Sequence, residues 1–177
     1  MDIMRRAALM SVSEAFAECG NDIFSIAIIF SEVCSYAKRE GLVALCESEV
    51  FRQKGEPHIL NVIEERGISV QLKNYLLFGF SCICSCDRFE ELDVLMKNKY
   101  YANSYKGKDL FIGFAYYLFI HQLAHGDSID KVLQHFSSIL PDASTESFKL
   151  FLAANLKTDE KNIKSMGGVV QFRQKKE

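Results

Sequence analysis

Apolar residues recur at helical rather than alternating spacing along nearly all of this 177-residue chain, and this pattern constrains its fold more than any other feature. Only two prolines, Pro57 and Pro141, interrupt it. Each apolar stripe must pack against another element, so the sequence predicts an all-α protein of about eight helices, either a single-domain helical bundle or a short stack of helical hairpins. Residues 1–157 form the predicted helical domain. Residues 158–177 form a C-terminal tail, expected to be loose or to carry a stray strand.

Glycines and capping residues place the helix boundaries. A helix over roughly residues 2–18 is expected to stop at Gly20, after which Asn21 or Asp22 caps the second helix. The apolar stripe of that second helix consists of Phe24, Ile28, Ile29, Val33, Tyr36 and Ala37. The later helices are expected to begin at Pro57, Ser69, Asp87, Lys108, Asp127 and either Ser144 or Thr145.

Two of these helix starts repeat at a constant offset of forty residues. Asp87 and Asp127 are each followed three residues later by an acid, a spacing related to that of the capping box, and each helix follows an unusually apolar one. Such a period is compatible with stacked helical hairpins, although any two capped amphipathic helices that follow buried ones also look alike. The matched pairs are Asp87 with Asp127, Phe89 with Ile129, Leu92 with Val132, and Met96 with Phe136.

Gly41 lies in the stretch AKREGLVALCESEV, residues 37–50, with helix-forming residues on both sides. Glycine inside a helix costs about 1 kcal/mol relative to alanine, but the long flanking runs favour a continuous helix. Gly41 would then mark a close approach of a second backbone or a mild bend. The alternative is that the helix ends at Glu40, with Gly41 as the residue just past its end.

The segment AKREGLVALCE resembles the stretch that follows the second membrane helix in the flagellar stator A-subunit (MotA) family, typically A-R-x-x-G-L-L-A-L-E. A weaker similarity in the order and spacing of helices extends the match over about residues 24–100. The resemblance implies a helical cytoplasmic module that binds the charged face of the rotor's switch protein. The basic residue of the family's motif corresponds to Lys38. The glutamate that ends the motif corresponds to Cys46, so its negative charge would have to come from Glu47. The four membrane helices of that family have no counterpart here, so ion conduction is not implied.

Five charged residues around Gly41 form the predicted partner-binding surface, called here the charged ridge. The alternative for such a set is an ordinary solvated helix face. The ridge consists of Lys38, Arg39, Glu40, Glu47 and Glu49.

Cysteine and histidine residues offer a different kind of site. On a helix Cys82 and Cys86 share a face while Cys84 points away, and the C-x-x-C spacing of metal sites is absent. His121 and His125 share a face in the same way, but without a nearby H-E-x-x-H glutamate. The cysteines are therefore predicted to act as small buried apolar residues, and no metal or cofactor is predicted. The alternative is a metal- or redox-responsive regulator that uses Cys82, Cys86, His121 and His125.

The composition excludes several classes of function. A net charge of −2 gives no broad basic field for nucleic acids. The sequence carries no phosphate-binding loop, nucleophile elbow or paired catalytic carboxylates, so no enzyme is predicted. The apolar runs 74–86 and 109–124 fall short of the roughly 20 residues that a membrane-spanning helix needs. They are expected to be core helices, buried in the protein itself or against a partner.

Taken together, these patterns predict a cytoplasmic bacterial protein that works by binding another protein. No secretory leader is recognised, and the six cysteines fit a reducing compartment. The leading hypothesis is a membrane-free relative of the stator's cytoplasmic region that binds a flagellar motor or switch component. A helical adaptor or secretion-type chaperone unrelated to motility is the alternative. Self-association is left open.

Overall fold

Helices account for the regular structure of the chain. The computed structural model describes residues 19, 22–46 and 69–155. Within these ranges every regular element is a helix and no strand occurs, which confirms the all-α prediction. In chain order the helices are α1 (Asp22–Glu40), α2 (Leu42–Cys46), α3 (Val70–Ser85), α4 (Phe89–Asn103), α5 (Gly107–Ala124), α6 (Ile129–Ser138) and α7 (Asp142–Asn155).

Some of the predicted features cannot be compared with the structure. The helices expected over residues 2–18 and from Pro57, and the tail 158–177, lie outside the described residues. The same is true of Glu47 and Glu49 in the charged ridge.

Helix α5 forms the centre of the core. Its residues are buried on nearly all sides, because α1, α3, α4 and α6 all pack against it. The apolar run 109–124 is therefore buried in the protein's own core, and the run 74–86 buries one face in the same core. Within the described ranges, no helix is long and apolar enough to cross a membrane.

Helix α3 approaches α5 closely, and Gly79 makes this approach possible. A Cβ atom at Gly79 would lie only 2.5 Å from Cγ1 of Ile120 and 3.2 Å from Cε of Met96. Helix α4 then packs across both helices, while α2 packs on α3. On the other side of the core, α6 and α7 pack on α1.

The apolar stripe predicted for α1 is confirmed. Phe24, Ile29, Val33 and Ala37 are buried, whereas Ile28 and Tyr36 are partly buried at the edges of the stripe.

Side-chain caps agree with the predictions at one helix and differ at the others. Ser69 caps α3 as expected, since its hydroxyl accepts a hydrogen bond from the backbone N–H of Leu72 at 3.3 Å. The prediction that Asp127 caps the sixth helix is wrong by one residue. Ser128 is the cap and accepts from the N–H of Lys131 at 3.4 Å, while the Asp127 carboxylate pairs with the Lys131 ammonium at 2.7 Å.

Two further predicted starts are also wrong, and the start predicted at Lys108 is one residue late, since α5 begins at Gly107. The residue before α4 is Arg88 in an extended conformation with no side-chain cap, so Asp87 lies one residue too early. Helix α7 begins at Asp142 rather than at Ser144 or Thr145. It starts there because the carbonyl of Pro141 accepts a hydrogen bond from the Ser144 N–H at 2.8 Å, which places Asp142 in the first turn.

The prediction that the helix continues through Gly41 is wrong. Helix α1 ends at Glu40, and the Gly41 N–H donates to the carbonyl of Ala37 at 2.9 Å, while Gly41 itself has φ +90°. This is the left-handed conformation that commonly ends a helix. Among the residues that the structure describes, a Cβ atom here would meet no heavy atom within 4 Å, so none of their backbones approaches Gly41 closely. Glycine is required for its backbone angle alone, and α2 starts directly after it.

Replacing Gly41 with alanine is expected to destabilise the protein by about 1–2 kcal/mol, because an L-residue is strained at this positive φ. If Gly41 lay inside a helix, the same change would instead stabilise it by about 1 kcal/mol. The sign of the change in unfolding free energy, measured by chemical denaturation, distinguishes the two. Ser35→Ala, at an exposed position within α1, serves as the control.

The forty-residue period is present in the burial pattern. Helices α4 and α6 begin at Phe89 and Ile129, forty residues apart, and the positions that follow at the same offset are buried in both units. The helix pairs α3–α4 and α5–α6 thus match as two hairpins of one period would, although any two amphipathic helices that follow buried ones bury such positions. Helix α5 packs on both α3 and α4. The matched buried pairs on α4 and α6, and just beyond α6, are Leu92 with Val132, Met96 with Phe136, and Tyr100 with Leu140.

Candidate functional site

The described part of the charged ridge lies at the exposed C-terminal end of α1. Lys38, Arg39 and Glu40 all face solvent. Arg39 Nε lies 2.7 Å from Glu40 Oε1, and the Arg39 guanidinium lies 5.6 Å from the centre of the Tyr36 ring. An exposed pair of this kind contributes at most about 1 kcal/mol to stability, so these groups are not needed to hold the fold.

An exposed apolar residue lies next to this charged end. Val43 in α2 is 68% exposed, two residues beyond Gly41. Helix α2 is fixed against the C-terminal end of α3, where the Cys84 sulfur lies 3.5 Å from the Leu42 carbonyl oxygen. Charged and apolar groups are thus presented together on a packed part of the fold, and an apolar centre bordered by a polar rim is the arrangement found in protein interfaces.

A second candidate site is a cavity of about 300 Å³ between the end of α3, the start of α4 and the end of α5. It brings together Cys82, Cys86 and His125, three of the four residues considered for a metal- or redox-responsive site. Apolar side chains form the rest of its wall, and two charged residues lie in the turn between α3 and α4. The full lining is Cys82, Ile83, Cys86, Asp87, Arg88, Phe89, Leu92, Ala124 and His125.

The cysteines have different environments. Cys82 and Cys86 are free thiols, and burial raises the pKa of Cys82 to about 11. Burial, together with Glu91 and Asp87, also raises the pKa of Cys86. Both thiols are therefore protonated at neutral pH and react slowly as nucleophiles. The prediction that such cysteines act as buried apolar residues holds for Cys82, whereas Cys86 is partly exposed.

Cys84 differs from this prediction, because it is exposed and disulfide-bonded. Its position two residues from each neighbouring cysteine turns it to the other side of α3, towards α2. A disulfide is typical of oxidising compartments, so it does not fit the reducing setting expected from the cysteine content.

A polar cluster that the sequence did not single out lies between α4 and α5. The Tyr117 hydroxyl donates to Asp93 Oδ1 at 2.5 Å, and the Lys97 ammonium donates to Asp93 Oδ2 at 2.8 Å. Burial alone would raise the pKa of Asp93, but the hydrogen bonds from Lys97 and Tyr117 outweigh it and the pKa lies below its ordinary value. The spacing of Asp93 and Lys97, four apart on one helix, was the only available signal in the sequence.

His121 lies at the edge of this cluster. Its Nε2 is 3.4 Å from Asp93 Oδ1, without the geometry of a hydrogen bond, and its ring packs against Tyr117 and Phe89. Burial lowers the pKa of His121; Asp93 opposes this, while His125 and Lys97 add to it. His121 is therefore mostly neutral at pH 7.

His121, His125 and His135 do not converge on one metal position. The His125 ring packs on Phe89 with the ring centres 3.9 Å apart, whereas His135 contacts Gln122. In the part of the chain that the structure covers, no group of three or more histidine, cysteine or acidic side chains is placed to hold a metal ion.

Stability is expected to fall as the pH is lowered from 7 to 5, in part because of His121. Because the pKa of His121 is lowered in the folded state, the folded protein binds fewer protons at this residue than the unfolded chain does. The stability that His121 contributes is therefore lost as the pH falls below the ordinary histidine pKa of 6.5. Protonation of Asp93 lowers the stability further only when the pH falls below 3.8, the ordinary pKa of this carboxyl group. Denaturation curves at several pH values should show a shallower decline between pH 7 and 5 for His121→Gln. An unchanged slope in that variant would contradict the assignment.

No protein family matches the chain, and no curated protein or solved structure is significantly similar to it. The resemblance to the stator A-subunit family thus stays a prediction from the motif around Gly41. The charged ridge and the cavity are the features from which a function can be inferred.

Proposed function

We propose that this protein is a non-enzymatic binding module that docks on another protein through the charged ridge, and that its partner is a component of the flagellar motor or its switch. The observation that carries this proposal is the exposure of Lys38, Arg39 and Glu40 at the end of a helix whose opposite face is buried. We name a motor or switch component as the partner because the charged motif around Gly41 resembles that of the stator A-subunit family.

The rigidity of the ridge supports this proposal. Val33 and Ala37 anchor the last turns of α1 in the core, so the three charged side chains extend from a fixed backbone. The ion pair of Arg39 with Glu40 and the packing of Arg39 on Tyr36 restrict those side chains further. A surface ordered before binding loses less conformational entropy on association, which favours affinity.

Charge on this surface is expected to govern specificity and the rate of association. Lys38 and Arg39 present two adjacent positive charges, next to Glu40. Val43 supplies apolar area beside them. A partner with an acidic patch bordering a small apolar depression is the complement of this arrangement.

Charge reversal tests the proposal. The double variant Lys38→Glu/Arg39→Glu is expected to bind the purified rotor switch protein at least about tenfold more weakly at low salt, because each reversed charge turns attraction into repulsion. Lys106→Glu is the matched control, since Lys106 is also an exposed lysine and lies in the turn before α5. Affinity can be measured by biolayer interferometry at two salt concentrations. Equal affinities for the double variant and the wild type would refute docking through this ridge.

A helical adaptor or secretion-type chaperone is the second candidate, and the two related hairpins α3–α4 and α5–α6 favour it. Stacked hairpins of constant period form extended binding surfaces in many repeat proteins. Under this alternative the switch protein would not bind at all. If the switch protein is absent from the bound fraction although this protein is correctly folded, the result would favour an adaptor over a motor component.

A further inference from the structure

The cavity between α3, α4 and α5 contains two free thiols that the docking surface does not use. Cys82 lies in the last turn of α3 and Cys86, four residues on, directly follows its end, so the two side chains lie on the same side of the helix. Both line the cavity, and both are free. The backbone N–H of Cys86 donates to the carbonyl of Cys82 at 3.0 Å, which keeps the helical path as far as Cys86 and holds the two side chains on the same side.

Cys82 and Cys86 differ in their accessibility to solvent. Cys82 is 3% exposed and forms the inner wall of the cavity, whereas Cys86 is only partly buried and lies nearer the opening. A small ligand that enters the cavity therefore meets Cys86 first and Cys82 next. Phe89, Leu92 and Ala124 supply apolar surface to the rest of the cavity wall.

The donor set limits which ion could bind. Zinc in proteins takes three or four protein ligands, and the described part of the chain has no group of that size. Monovalent copper prefers soft thiolate sulfur and forms stable complexes with two thiolates alone. We propose that Cys82 and Cys86 form a two-thiolate site for monovalent copper within this cavity.

The binding step is balanced by proton release. One Cu⁺ ion displaces the two thiol protons, forms two copper–sulfur bonds and gives a bis-thiolate complex of net charge −1, with two protons passing to the solvent. No oxidation or reduction occurs, because the copper enters in its monovalent state.

The charged groups around the site are mixed. Arg88 lines the cavity and can offset the negative charge of the complex. Asp87, in the same turn, and Glu91, at the start of α4, oppose it. His125 faces the cavity from the end of α5, where its ring packs on Phe89.

The two sites are separated by α3. The disulfide-bonded Cys84 lies between the two thiols in sequence and faces α2, which leads back to the charged ridge. Copper binding and partner docking therefore take place on different sides of this helix. The copper proposal does not depend on the identity of the partner.

A competition titration tests the copper site. Cu⁺ is supplied to the full chain as its coloured bicinchoninate complex, without oxygen and with ascorbate, which keeps copper monovalent and leaves the disulfide at Cys84 intact. The wild type is expected to withdraw one equivalent of copper. Cys82→Ser and Cys86→Ser should each lower the affinity at least about 100-fold, since loss of a ligand costs more than the 10- to 100-fold typical of its supporting contacts. Cys34→Ser, at a free cysteine on α1, is the matched control and should retain wild-type affinity.

A second readout does not depend on the folding of the variants. Bound Cu⁺ is expected to protect Cys82 and Cys86 of the wild type from alkylation by N-ethylmaleimide, measured by peptide mass spectrometry, while alkylation of Cys34 stays unchanged. Failure of the wild type to withdraw copper would overturn the proposal. Copper binding that persists in both serine variants, or protection of cysteines other than this pair, would overturn it as well.

Discussion

Replacing Phe30 with alanine is expected to lower the free energy of unfolding by about 3–5 kcal/mol, the usual cost of removing a buried aromatic side chain. Phe30 is 1% exposed and stacks on Phe119, with ring centres 4.1 Å apart. It also meets the edge of Phe136 at 5.5 Å, so its loss opens a cavity shared by α1, α5 and α6. Urea denaturation followed by circular dichroism measures the change.

The control for this prediction is Leu150→Ala in α7. Leu150 is 72% exposed, so its truncation should change stability by no more than about 0.5 kcal/mol. A loss at Phe30 as small as that at Leu150 would mean that α1 does not pack on α5 and α6 as described.

Replacing Ile120 with alanine is expected to cost about 2–5 kcal/mol in the wild type and distinctly less in a Gly79→Ala background. In the wild type the change leaves a cavity beside Gly79. In the Gly79→Ala background the new methyl group, which would otherwise lie 2.5 Å from Ile120 Cγ1, fills part of that space. The double-mutant cycle should give a coupling energy within about 0.5–3 kcal/mol, the range for residues in contact.

This cycle tests the close approach of α3 to α5. The four proteins are compared by chemical denaturation under one set of conditions. Additivity within about 0.3–0.5 kcal/mol is what distant and independent sites give. Such a result would show that Gly79 and Ile120 are not in contact and that the central helix pair is wrongly placed.

The fold class was predictable because helical periodicity is a property of the sequence itself. The buried stripe on α1, the Ser69 cap of α3 and the burial of the two apolar runs follow from local spacing and local hydrogen bonds. The forty-residue period was visible for the same reason, and burial at Tyr100 and Leu140 extends it by one more pair.

The errors arose where local signals compete. At Gly41 the flanking residues favour a helix, yet the chain adopts a positive φ and turns so that α2 can pack on α3. At Asp127 the carboxylate pairs with Lys131, and the Ser128 hydroxyl becomes the cap instead. Propensity alone does not decide between such alternatives, since the tertiary contacts select one of them.

The candidate sites were only partly predictable. Helical spacing placed Cys82 on the face of Cys86, but His125 joins them only through the packing of α5 on α3. The cluster around Asp93 was missed because Tyr117 belongs to another helix, 24 residues away. Contacts between helices depend on crossing geometry, which a single sequence does not reveal.

The central claim, docking through the charged ridge, can be tested on the complex itself. Lys106 is a suitable internal reference, because Tyr105 contacts Gln71 at the start of α3 whereas α2 lies at its other end. The 16 residues of α3 span about 24 Å, so the reference lies far from the ridge.

The most direct measurement is the acetylation rate of each lysine, read by mass spectrometry with and without a saturating amount of the rotor switch protein. Docking through the ridge predicts that acetylation of Lys38 slows markedly in the complex while that of Lys106 is unchanged. An equal rate at Lys38 in the free and bound protein, with binding verified in the same sample, would contradict the proposed function.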